Sequence, residues 1–471
     1  MITVNRYGYR QMVSRYFKSL FSIDELMRFS SARRGSVTIA LALVLPILVM
    51  FIGLGVEVSM WFQLKRDIQT TADSAAIAGA YEAIELDATT STVLSKTVSA
   101  ATANQYDVST DTLVADNPPA TGPNTSETDA VEVNISRPVN LLFASMIEDF
   151  SVVISARAIA NSAASGEEAC ALALDTTASG AVSVSGSAVV TMNGCEVATR
   201  STDSRSININ GGADLNVDCV ATSGDINGSI NYTECSEGKI NLPVIADPYV
   251  DLSMPVDEYG NPEALPCDED DNISGADINA TDSTVLDDDD GDGYVVICGG
   301  MTINAGETID LNPAYTSSGD SSDTVTYIFK EDSLMINGGS NVTGLNTSFL
   351  FTGVTPEWAK ASVAGGGSIN LSASLEGDYA GILFFQDPDS ASSPTNGFSF
   401  TGDSDTELTG VIYIPNNTVS FSGGNDADDD GGLQLIAKKL SFTGNADIDN
   451  KCEGFAGIKP VQTSYQVSLI E

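Results

Sequence analysis

Two acidic runs are the stretches best suited to hold a ligand. Asp288, Asp290, Asp292 and Gly293 fit D-x-D-x-D-G, and so do Asp426, Asp428, Asp430 and Gly431. Alternating carboxylates ahead of a glycine turn can wrap a hard cation such as calcium. The bidentate Glu expected at the end of such a loop is missing from both, because Gly299 and Ala437 stand there. Each run therefore reads as a calcium loop or as a solvated insertion, and no cofactor is required. Imidazole chemistry is excluded, since the chain has no histidine; His-dependent triads and His-ligated zinc sites go with it. The seven cysteines include no CxxC pair, which leaves structural staples as their expected role. Cys170, Cys195 and Cys219 are spaced by 25 and 24 residues.

The elements that must position these residues are short strands. From Cys170 onward the chain turns to Gly, Ser, Asn, Asp and β-branched residues. FSFTGDSD from Phe398, VSFSGGND from Val419 and LSFTGNAD from Leu440 follow one another at 21 residues. VSVSGSAV from Val182 and ININGGAD from Ile207 repeat the pattern, and TINAGETI from Thr302 and MINGGSNV from Met335 repeat it loosely. A short alternating strand closed by Gly and Asn/Asp and recurring every few tens of residues predicts a stacked solenoid. Gly and Asn/Asp supply the corners, and inward Val, Ile and Phe the core. The cysteine spacing is about one coil, so successive sulfurs would stand roughly 4.8 Å apart, within disulfide reach. At least one disulfide is expected within Cys170, Cys195 and Cys219, with the pairing of Cys235, Cys267, Cys298 and Cys452 open.

Oxidised cysteines require export, and the N-terminal region supplies it. Val37 to Val56 carries no charge, and such a helix of about 20 residues matches a hydrocarbon core of roughly 30 Å. Arg6, Arg10, Arg15, Lys18, Arg28, Arg33 and Arg34 precede it, whereas Lys65 and Arg66 are the next basic residues. The positive-inside rule places the N-terminus in the cytoplasm and everything after Glu57 outside. A cleaved signal peptide is the alternative, but the apolar run is long and no small-x-small site follows closely. With Gly35 as the small residue of a prepilin site, the fifth position beyond would be Ala40 rather than Glu, so an uncleaved anchor is expected. The whole chain stands at −43, and beyond residue 34 it has 14 basic against 62 acidic residues. Such a surface repels nucleic acid and anionic headgroups.

Val58 to Leu86 is Ala-rich, with no Pro and one Gly, and predicts continuation of the helix as a stalk. Ala72, Ala76, Gly79, Ala80 and Ala83 form a small-residue face open to a partner helix or to the chain's own next domain. Residues 112–128 read as a loop. VEVNIS (131–136) and SVVISARAIA (151–160) read as strands flanking a helical VNLLFASMI (139–147).

RRGS, an apolar run containing Pro46, then Glu57, Ser59, Trp61-Phe62, Lys65-Arg66 and QTTADSAAIAGA resemble the membrane anchor of TadE/TadG-like proteins of the Flp (Tad) pilus-assembly system. Glu57 and Thr71 stand where that family more often has Asp and Ala. Long members commonly carry a von Willebrand A domain with a DxSxS loop, and no DxSxS occurs here. The resemblance implies a bacterial inner-membrane protein whose partners are other pilus-assembly proteins, met through the transmembrane helix and the Ala-rich stalk, with a homo-oligomer open.

The expected fold is mainly β. A cytoplasmic basic segment (1–34), a single transmembrane helix (35–57), a helical stalk (58–104) and a small α/β juxtamembrane module (105–165) precede a large exported parallel β-helix, or β-solenoid (166–471). The expected function is a non-catalytic component of Tad/Flp pilus assembly. A calcium-dependent surface adhesin shares the same scaffold. A β-helix enzyme acting on acidic polysaccharide is disfavoured, because residues 166–471 offer only Arg200, Arg205, Lys239, Lys330, Lys360, Lys438, Lys439, Lys451 and Lys459 to hold a polyanion.

Overall fold

A computed structural model describes residues 36–84, 88–139, 141, 143, 152–164, 168–255, 266–268, 272–279, 286, 288, 293–353, 360–390, 397–402, 406–423, 425–427, 432–449 and 457–470. The chain forms two units, Met1–Ala163 with Val467–Glu471, and Ala164–Gln466 inserted between them.

The first unit is built on α1 (Ser36–Ala83), a single 48-residue helix with Pro46 inside it. α2 (Thr90–Ala103) starts at a capping box, in which the Thr92 amide donates to Thr89 Oγ1 at 3.2 Å and the Thr89 amide to Thr92 Oγ1 at 2.9 Å. These helices pack on a four-stranded sheet ordered β1 (Thr112–Asp116), β2 (Ala130–Val139), β3 (Val152–Ala164) and the C-terminal strand Tyr465–Leu469. Ile68, Ala72, Ala76 and Ala80 of α1, with Val93 and Ala101 of α2, meet Val131, Val133, Ile135, Ala156 and Ala158 of the sheet in one core.

Three expectations for this region are corrected. TLVAD is a strand rather than the start of a loop: Leu113, Val114 and Ala115 pair antiparallel with Ile135, Asn134 and Val133. The Pro and Gly that signalled a loop begin only at the cis Asn117–Pro118 bond. β2 also runs past Ser136 to Val139, through Pro138. Beyond Ser136 it has β3 as neighbour but no longer β1, and a strand with one free side tolerates a residue lacking the amide proton. Val139 of the expected helix is therefore strand, Leu141 and Phe143 are not helical, and its remaining residues lie outside the described ones. The stalk does not stand free, since its helices are the cover of this sheet.

The second unit is a 24-stranded sheet in which all pairings but one are parallel among the described residues. Its strands stack in register as long ladders. One ladder runs Ile303, Ile336, Val363, Phe400, Phe421, Phe442, Val184, Ile209. The recurring segments detected in the sequence all fall on it, although the step from Phe442 to Val184 joins residues far apart in the chain. Alternation (FSF, VSF, LSF) follows from one open face, with Ser399, Ser420 and Ser441 pointing away from a core of stacked rings. Gly402, Gly423 and Gly444 close successive repeats because the corners nearly touch. A Cβ on Gly444 would lie 2.1 Å from the Gly423 nitrogen, and one on Gly423 would lie 2.5 Å from the Gly402 oxygen, with Gly423 at φ 85°. No L side chain fits such contacts.

A second ladder runs Val296, Ile328, Leu350, Phe385, Tyr413, Ile436, Leu172, Ala198, Ala221. Its strands, such as ILFFQ and TSFLFT, show no polar alternation and are buried at every position, the pattern of strands buried on both faces. The cover is a crossing segment that the ladder order makes necessary. After Asn231–Tyr232 at one end, the chain resumes at Ile273–Ser274 and Val295–Ile297 at the other. Leu242, Ile245, Tyr249, Leu252 and Met254 lie against this second ladder on the way. Tyr413 donates to Asp247 Oδ2 at 3.0 Å, and Tyr379 donates to the Ser253 carbonyl at 2.7 Å. The Asp268 amide then reaches the Val296 carbonyl at 2.9 Å.

Candidate functional site

The site begins with a change of environment along α1. From Val37 to Phe62 its large apolar side chains are almost all exposed, whereas Ile68, Ala72, Ala75, Ala76 and Ala80 are fully buried. Between these halves sits Glu57, only 3% exposed. A carboxylate at the end of an apolar helix is costly unless its oxygens are bonded. Glu57 Oε2 accepts the Phe143 amide proton at 2.9 Å. One turn earlier on the same face, a Cβ on Gly53 would lie 2.4 Å from the Phe143 ring. Gly53 and Glu57 thus form a seat, glycine giving room for the ring and glutamate taking the amide. Neither was singled out for this from sequence, although the i, i+4 spacing of a Gly and the acidic residue was there to read.

Residues 35–82 match the family model described as putative Flp pilus-assembly TadE/G-like. This segment is similar to TadE/G-like proteins. The matched segment covers almost all of α1, which is long and apolar enough to cross a membrane. No curated protein and no solved structure matches the chain.

Thr71 of the matched segment lies 2.6 Å from the Asn104 carbonyl and 2.9 Å from that of Asp67. Gln69 Nε2 donates at 2.8 Å to the Arg157 carbonyl and at 2.8 Å to Asp73 Oδ1. The segment is thereby tied to α2 and β3. The small-residue face, expected to admit either a partner helix or the chain's own next domain, is filled by the chain's own module: Ala72, Ala76 and Ala80 are 0% exposed. A Cβ on Gly79 would stand 2.4 Å from Thr97 Oγ1 and 2.9 Å from Val131 Cγ1. Gly79→Val is therefore expected to destabilise the module by about 2–3 kcal/mol through overpacking. An unchanged melting temperature for the module would contradict this packing.

Two ion pairs brace the sheet beside the anchor. Arg137 lies 2.5 Å from Asp111, and Arg157 lies 2.7 Å from Glu132. Burial would raise the Glu132 carboxyl, but hydrogen bonds from Arg157, Asn134 and Thr121 outweigh it and hold it at about 2. With the folded value below the ordinary 4.5, Glu132 contributes stability above that ordinary value, and the contribution is lost as pH falls toward 2. Thermal melts across that window should show a steeper loss for the wild type than for Glu132→Gln. Parallel curves would overturn the assignment.

The acidic runs lie largely outside the described residues: Asp290, Asp292, Asp428 and Asp430 do, and so does the Asp426 side chain on the short strand Asn425–Ala427. Asp288 is described, and its Oδ2 accepts the Gly293 amide proton at 2.8 Å. Among the described residues no group of three or more metal-ligating side chains gathers.

Cysteine pairing is explicit. Cys170 joins Cys195, with Cα atoms 5.6 Å apart. Cys219 does not extend that pair. It stands opposite Glu196, one residue out of register with Cys195, and bonds Cys235 in the closing turn. Cys267 joins Cys298 at the far end. Sequence reasoning also missed a buried polar cluster. Glu196, 1% exposed, pairs with Lys239 at 2.6 Å and accepts the Thr463 hydroxyl proton at 2.5 Å. Asp247 accepts from Tyr413 and from the Tyr249 amide, and burial pushes its carboxyl up. These groups fasten the crossing segment and the C-terminal stretch to the ladders.

Proposed function

We propose that the protein is a non-catalytic, membrane-anchored component of a Tad-type pilus or its assembly apparatus, presenting an acidic β-solenoid outside the inner membrane. The observation that carries this reading is the division of the TadE/G-like helix into an exposed apolar half and a half buried in a folded module, with Glu57 at the boundary. An exposed run of this apolarity suits lipid and not water. The seven basic residues before Val37 orient it with the N-terminus in the cytoplasm. The parallel ladders are read as the walls of the solenoid, with the neutral Ser column on one wall. The groups buried at the crossing segment are engaged with one another and serve as fasteners rather than as an acid–base pair. Deleting the gene should abolish surface pili in electron micrographs, with restoration by the intact chain but not by one lacking Val37–Val56. Normal piliation in the deletion strain would overturn the reading.

A further inference from the structure

We infer that the C-terminal strand Tyr465–Leu469 is a self-pairing edge through which two copies of this chain associate. It is the last strand of the four-stranded sheet, and among the described residues no strand pairs with its outer side. The Ile470 amide donates to the Ile159 carbonyl at 2.8 Å. Alternation along a strand then directs Ser468 and Gln466 toward β3 as well, and turns the amides and carbonyls of Tyr465, Val467 and Leu469 outward. Natural edges are protected by charge, proline, bulges or a covering element. Tyr-Gln-Val-Ser-Leu has no charge and no proline, and Gln466, Ser468 and Leu469 are exposed. The opposite edge, β1, by contrast ends in Asp116.

The occupant follows from charge and register. Two chains at −43 repel over most of their surface, so close approach of a second copy requires an uncharged strip, which this strand provides. With Val467 on a two-fold axis, antiparallel pairing sets Val467 against Val467, Tyr465 against Leu469 and Gln466 against Ser468. Aromatic faces aliphatic and polar faces polar. The outward groups are then those of hydrogen-bonded pairs, giving about six bonds across an isologous junction.

The test uses the full chain in detergent micelles, with mass measured by light scattering and amide exchange followed at residues 465–469. The wild type should be dimeric at tens of micromolar, with the Val467 and Leu469 amides protected in proportion to dimer. Leu469→Lys places a charge on the edge while leaving the bonds to β3 intact, and should weaken the dimer at least about tenfold. Leu469→Pro removes one outward donor and should do the same, with protection in β3 unchanged in both variants. A monomeric wild type overturns the inference. So does a dimer that persists in both variants with fast exchange at Val467, since the association would then lie in the apolar helix.

Discussion

Replacing Phe384 by alanine should destabilise the large unit by about 3–5 kcal/mol, the usual cost of emptying an aromatic site in a packed core. Phe384 is 0% exposed. Its ring lies 5.3 Å from that of Phe349 and 5.3 Å from that of Phe400, stacked on the first and edge-on to the second. It therefore joins two walls of the unit, and neither wall can close the void without breaking its own register with the strands on either side. Phe384→Leu, which keeps most of the volume, should cost less than half as much. Equal losses for the two variants, or a loss below about 1 kcal/mol for the alanine, would mean that the ring is not a core element.

Removing the Cys267–Cys298 disulfide by paired serine substitution should cost about 3 kcal/mol, and removing Cys219–Cys235 a similar amount. The two bonds sit at opposite ends of the ladders. The first fastens residues 266–268 beside Val295–Ile297, where Asp268 also exchanges bonds with Val296. The second fastens the turn that follows Asp214–Thr222. A terminal strand lacks a neighbour on one side, so these staples hold the places where a stack frays first. Amide exchange should accelerate at Val295–Ile297 in the first variant and at Asn231–Tyr232 in the second, while strands in the middle keep their protection. Uniform acceleration throughout would contradict an end-stapling role.

What could be read from the sequence was periodic, and what could not was set by long-range order. FSF, VSF and LSF with their corner glycines announce strands and spacing, and the helix from Val37 announces itself by uninterrupted apolarity. The repeats at Val182 and Ile207 are not neighbours of the one at Leu440 in the chain, and nothing local says that Phe442 pairs with Val184. That junction forces the crossing segment. Its sequence trace is indirect: runs such as ILFFQ and TSFLFT have no polar alternation and so demand a cover on the second face. Cys219 shows the same limit, because its partner depends on a register shift of two residues between Met192 and Glu196. At the anchor, Glu57 is visible as an acidic residue after an apolar run, but its partner Phe143 lies far along the chain. The Ala-rich face carried no mark distinguishing an internal surface from an external one.

Topology is the most direct test of the account, because every proposed role depends on which side of the membrane the chain beyond Glu57 occupies. Alkaline phosphatase fused after Ala80 should be active in intact cells, and β-galactosidase fused at the same position should be inactive. An inactive phosphatase together with an active β-galactosidase would place the module and the large unit in the cytoplasm, contradicting the anchored, exported arrangement.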